Sequence, residues 1–130
     1  MLHIQRSALY EQITHLPLPE TILEWIEDLE SGKFSQSKGS LKSPEGHCCL
    51  GVWCEGRYPY DGEDFLYDGI HFHAGLPESG PFRSLMGNFL PVRIDGIIYG
   101  HLAEMNDKGF TFREIAAFCR VYPRRVFHGL

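Results

Sequence analysis

At 130 residues, the chain has the size of one domain and can remove roughly two-thirds of its unfolded surface from water. Its 43% hydrophobic and 22% charged content excludes intrinsic disorder. A formal charge of -5 does not imply a general affinity for nucleic acid, and no stretch approaches the roughly 20 apolar residues of a membrane span.

The residues Met1-Leu2-His3-Ile4-Gln5-Arg6 lack the apolar run of a signal peptide. The four cysteines, Cys48, Cys49, Cys54 and Cys119, are therefore expected as reduced thiols in the cytoplasm. A weak amphipathic stretch, Ser7 to Leu16, ends before Pro17. The strongest helix is expected over residues 19–31, where Leu18, Ile22, Trp25, Ile26 and Leu29 fall at helical spacing. Pro19 suits its first turn and Gly32 its stop. Five acids, Glu20, Glu24, Glu27, Asp28 and Glu30, form its outer face. Residues 33–46 read as an ordered loop or short hairpin. Cys48 to Cys54 is an apolar run that must be buried, with a period that fits strand or helix.

Aromatic residues reach 13%, with Gly 14 and Pro 8, and many of them fall in residues 56–91, so short strands in irregular structure are expected there. Val92 to Tyr99 is the best hairpin signal, with Asp95-Gly96 supplying a type I′ turn. A helix is expected over 99–106 and another over 112–121, where Thr111 and Glu114 complete a capping box. Ile115, Phe118, Cys119 and Tyr122 form its buried stripe, and Pro123 ends it. The fold class is α+β: a single domain, residues 1–130, with about three helices on a small, mostly antiparallel sheet.

Two segments carry a family likeness. One contains Gly32-Lys33-Phe34-Ser35-Gln36, Gly39-Ser40-Leu41 and Cys48-Cys49-Leu50-Gly51-Val52-Trp53-Cys54-Glu55. The other contains Asn106-Asp107-Lys108-Gly109 and Phe112-Arg113-Glu114-Ile115-Ala116. Together they resemble small, uncharacterised proteins recurrent in bacteriophage genomes. The pair Glu55-Gly56 and the run Arg120-Val121-Tyr122-Pro123-Arg124-Arg125-Val126-Phe127 depart from that pattern. The resemblance implies a phage setting and no particular chemistry.

Lys33, Lys38 and Lys42, with Ser35, Gln36, Ser37, Gly39 and Ser40, have the composition of a phosphate-friendly loop without the P-loop spacing. Lys33, Gln36 and Lys38, joined by Asn106 and Asp107 from the second segment, are the candidate ligand contacts. His47 with the cysteines lacks the ligand spacing of a zinc site, so no metal or other cofactor is expected. A thiolate–imidazole pair with His71, His73 or His101 would make a hydrolase, yet nothing in the spacing brings those histidines to a cysteine. No catalytic residue is assigned. The rhythm of Leu102, Gly109, Ile115-Ala116, Val121 and Val126 also fits a helix-turn-helix over residues 99–130, with Arg120, Arg124 and Arg125 toward DNA. Otherwise the basic tail is a solvated face or part of a homo-oligomer interface. The preferred expectation is a phage-encoded, non-enzymatic binding protein of the host cytoplasm that counteracts host defence. It would do so by occupying a host protein or sequestering a small anionic, nucleotide-like ligand. The DNA-binding regulator and the Cys/His hydrolase are the alternatives.

Overall fold

Secondary structure begins where the sequence pairs apolar periodicity with a turn. A computed structural model describes residues 1–55, 82 and 89–130. Strand β1 (Leu2–Ile4) lies parallel to β4 (Val92–Ile94), and β4 pairs antiparallel with β5 (Ile97–Tyr99), giving the order β1-β4-β5. Asp95 and Gly96 have φ of 49° and 83°, the two positive values that a type I′ turn requires. A second, two-stranded sheet pairs β2 (Lys42–Ser43) antiparallel with β3 (Gly46–His47).

Five α-helices surround these strands among the described residues: α1 (Glu20–Ser31), α2 (Cys49–Cys54), α3 (Leu102–Asp107), α4 (Phe112–Val121) and α5 (Pro123–Val126). Helix α1 buries Ile22, Trp25, Ile26 and Leu29 and ends on Gly32 at φ 78°, the left-handed stop that glycine adopts without strain. It packs chiefly against α4. Trp25 is fully buried. Its ring meets Phe82 at 4.8 Å and Phe127 at 5.9 Å, both edge-on. Its Nε1 donates to the Cys49 carbonyl at 2.8 Å, so the indole's one polar atom is satisfied inside the core.

Two glycines explain how α2 seats. A Cβ on Gly51 would stand 1.7 Å from the Leu41 carbonyl oxygen, and one on Gly46 would stand 2.2 Å from that of Ser35. The backbone of residues 35–41 therefore runs directly over these positions. Cys48 caps α2, its Sγ accepting from the Gly51 amide at 3.3 Å. Helix α4 carries the expected capping box, Thr111 with Glu114.

The structure corrects two local expectations and decides a third that was open. Tyr99 belongs to β5, and the helix expected over 99–106 begins at Leu102, where His101 Nδ1 caps it by accepting from the Glu104 amide at 3.0 Å. Ser7 to Leu16 is not one amphipathic helix. It holds two 3-10 turns, Arg6–Ala8 and Tyr10–Gln12, followed by extended chain. The apolar run at Cys48–Cys54 is a helix buried on every side, which is why it has no readable period. Expectations that fall within 56–81 and 83–88, including those for His71 and His73, lie outside the described residues. Among the described residues no helix is long and apolar enough to cross a membrane.

Candidate functional site

The polar residues singled out in the loop and at the end of α3 meet each other. Asn106 is fully buried, and its amide uses both ends. Oδ1 accepts from the Cys49 amide at 3.2 Å and from Gln36 Nε2 at 2.9 Å; Nδ2 donates to the Ser37 carbonyl at 2.8 Å and to Asp107 Oδ1 at 3.2 Å. Gln36 also donates to the Phe110 carbonyl at 2.7 Å and accepts from the Phe112 amide at 3.1 Å. Asp107 accepts from the Gly39 amide at 3.0 Å. Gln36, Asn106 and Asp107 thus tie the loop before β2 to α2, α3 and the start of α4. A buried backbone group without a partner costs about 1–3 kcal/mol, so the network stabilises a loop that has little regular structure of its own. Lys33 and Lys38 are exposed and outside the network. Lys33 lines an open groove of about 300 Å³ beside Glu24, Glu27, Asp28 and Ser31, a setting that repels anions.

The thiols are engaged in packing. Cys48, Cys49, Cys54 and Cys119 are all buried and free of disulfides. Burial pushes the Cys49 and Cys119 thiols well above the ordinary cysteine range, away from the thiolate that nucleophilic chemistry needs. His47 faces Glu55 instead: Nε2 lies 2.8 Å from Glu55 Oε2, and Lys42 Nζ lies 3.6 Å from the same oxygen. The hydrogen bond from His47 holds the Glu55 carboxyl below its usual range. The group closes β3 onto the end of α2. Among the described residues, no three His, Cys, Asp or Glu gather as a metal site would require.

Four of the chain's arginines divide into two kinds. Arg120 makes two hydrogen bonds to the Glu30 carboxylate, both at 2.8 Å. Arg6 pairs in the same forked manner with Glu114, donates to the Gly109 carbonyl at 3.0 Å, and lies 4.0 Å over the Phe110 ring. These two cross-link elements distant in sequence. Arg124 and Arg125 have no such partner among the described residues. They stand on α5, where Tyr122 (φ −126°, ψ 55°) leaves the helical region because the residue before a proline is pushed out of it. Val126 and Phe127 then plunge into the core, which turns the two arginines outward.

Between them lies a groove of about 430 Å³, lined by Leu2, Leu16, Val121, Tyr122 and Pro123 and edged by Arg124 and Arg125. Leu2 comes from β1 and Leu16 from the extended chain before α1. Leu16 is 56% exposed, an apolar side chain left in water at the mouth of an apolar depression. The Tyr122 hydroxyl is 3.0 Å from Gln12 Oε1 and donates to it, which fixes the ring as part of the wall. The arrangement can hold anionic groups against the guanidinium groups with an apolar part beside them. It supplies no nucleophile. The third helix of a helix-turn-helix would have to be α5, which is the four residues Pro123–Val126, too short to lie along a major groove as a reading helix does.

Leu2, Leu16, Val121, Tyr122 and Pro123 were not singled out by sequence as site residues. The available signal was the basic run Arg120–Phe127, which supplies the groove's cations. A family model described as a domain of unknown function (DUF8296) matches residues 19–65. No curated protein and no solved structure matches the chain. The described part of the matched segment contains α1, the stapled loop, β2, β3 and α2; the groove residues lie on either side of it.

Proposed function

We propose that this is a phage-encoded, non-enzymatic binding protein of the host cytoplasm, which opposes host defence by occupying an anionic partner at the Arg124/Arg125 groove. One observation supports this reading above the others. Arg6 and Arg120 are each committed to a carboxylate, whereas Arg124 and Arg125, on the edge of an apolar groove, have no such partner among the described residues. An unpaired guanidinium beside apolar surface is poised for a carboxylate or phosphate, because it is weakly hydrated and binds such groups in a fork. The burial of all four thiols and the structural tasks of His47 and His101 speak for binding over catalysis. The phage setting and the defence target rest on the family resemblance.

The test is calorimetric titration of the purified protein with nucleoside triphosphates, inorganic polyphosphate and polyglutamate. The parent is compared with Arg124→Ala/Arg125→Ala and with Lys33→Ala/Lys38→Ala. The expected outcome is saturable binding of at least one polyanion that the arginine variant loses and the lysine variant keeps. The opposite pattern would move the site to the loop at residues 33–38, and binding retained by both variants would remove the groove from the account.

A further inference from the structure

The lining of the groove narrows the chemical class of its occupant, on the reading that Arg124 and Arg125 do bind an anion there. We infer that the occupant is a linear acidic peptide segment of a partner protein, carrying a bulky apolar anchor with acidic residues on both sides of it.

Three features point this way. The floor and walls are Leu2, Leu16, Val121, Tyr122 and Pro123, and the Tyr122 hydroxyl is already spent on Gln12. Apart from the guanidinium groups, the described lining side chains therefore offer no free hydrogen-bond donor. A nucleobase presents several polar atoms on its edges, and burying them without partners is costly. A leucine or phenylalanine side chain makes no such demand.

The second feature is shape. At about 430 Å³ the depression is within the size range of small-ligand pockets, but it is an open groove and not an enclosed cavity; drug-sized ligands are held in sites that bury most of their surface. An open trough suits a side chain delivered by a backbone that itself stays in water and covers the opening, as in helix or strand docking.

The third is the placing of the charges. Arg124 and Arg125 are consecutive residues of one helical turn, so their side chains diverge by about 100° and do not converge on one point. A single phosphate or carboxylate would engage one of them well. Two acids separated by an apolar residue engage both while the apolar residue fills the trough. Among the described residues nothing acidic lines the groove, although the chain as a whole carries -5. The positive edge is a local feature of a chain that is acidic overall, and that complementarity favours an acidic partner at this face.

The experiment uses the full chain and fluorescein-labelled hexapeptides in fluorescence polarisation. The probes are Glu-Asp-Leu-Leu-Asp-Glu and Glu-Asp-Phe-Leu-Asp-Glu, with Glu-Asp-Ser-Ser-Asp-Glu and Gln-Asn-Leu-Leu-Asn-Gln as controls; ATP and a duplex DNA compete. The expected result is saturation by the first two in the micromolar range and at least tenfold weaker binding of both controls. Arg124→Ala/Arg125→Ala and Leu16→Asp should each weaken binding at least tenfold, with unchanged thermal midpoints, since Leu16 and Arg124 are exposed and Arg125 is only partly covered. Failure of both acidic-apolar probes to saturate by 1 mM overturns the inference. If ATP or duplex DNA then binds in an Arg124/Arg125-dependent manner, the anion-binding reading survives and only the peptide is lost. If no anion binds, both fall together.

Discussion

Replacing Asn106 by alanine distinguishes a ligand contact from a structural tie. The side chain is fully buried, and its loss strands at least two backbone groups, the Cys49 amide and the Ser37 carbonyl. Gln36 keeps its bond to the Phe110 carbonyl and so is not counted. At about 1–3 kcal/mol for each stranded group, Asn106→Ala should cost about 4 kcal/mol. That is a large part of a total on the order of 10 kcal/mol for a domain of this length. In urea, with a slope of about 1–3 kcal/mol per molar, the midpoint should fall by about 2 M at constant slope. Asn106→Asp adds a check of sign. The new carboxylate keeps the acceptor facing Cys49 and Gln36, but it opposes the Ser37 carbonyl and the carboxylate of Asp107. Its folded pKa must then rise above the unfolded value, so its deficit relative to the parent shrinks between pH 8 and pH 5 as the proton returns. A midpoint shift below about 0.3 M for Asn106→Ala would show the network to be dispensable, and would return Asn106 to the list of ligand contacts.

Four further outcomes follow from the same packing. Gly51→Ala places a methyl carbon on the Leu41 carbonyl, and no low-energy shift of backbone relieves it; soluble yield and the thermal midpoint should both collapse. Trp25→Ala removes a fully buried indole and its bond to the Cys49 carbonyl, at about 3–5 kcal/mol by chemical denaturation. Ellman's reagent should label none of the four thiols in the native protein within minutes and all four in denaturant, since each is at most 1% exposed. Glu114 is held below its usual range, first by the hydrogen bond from Arg6, and Glu55 likewise by His47. Their contribution to stability is complete above the unfolded pKa of about 4.3 and is lost as pH falls through the lower folded values. Glu114→Gln should flatten the stability profile in that acid range.

What could be read from sequence was whatever depends on near neighbours. The stripe Ile22, Trp25, Ile26, Leu29, the stop at Gly32, the Asp95-Gly96 turn and the Thr111/Glu114 box each involve residues a few positions apart, and the structure contains all of them. Helix α2 was illegible for a physical reason: with both faces buried, the contrast between apolar and polar positions that reveals a helix is missing. Gln36 and Asn106 drew attention as uncommon polar residues in a motif. Sequence could not show that they are 2.9 Å from each other across 70 positions, and that proximity gives them inward-facing work. The groove was beyond reach altogether, because residues 2, 16 and 121–125 meet only after β1 has paired with β4 and α4 has packed on α1.

The division between frame and groove bears on how relatives should be compared. The family model covers residues 19–65, and within the described part of that range the unusual residues have structural reasons to be what they are. Gly46 and Gly51 admit a crossing backbone, Cys48 caps α2, Cys49 receives the bond from Trp25, and Gln36 ties the loop to α3 and α4. A chain that shares these residues shares the constraints of a fold. None of them touches the groove, whose walls come from the N-terminal residues and from the turn at Tyr122-Pro123. Substitutions at Leu16, Arg124 or Arg125 meet few packing constraints, since Leu16 and Arg124 are exposed and Arg125 is only partly covered. The frame can therefore be kept while the groove changes its charge and its partner. Transfer of function between chains that match over the frame alone is unwarranted on this structure, and the presence of an apolar residue near position 16 with cations after the Tyr-Pro turn is the feature to compare.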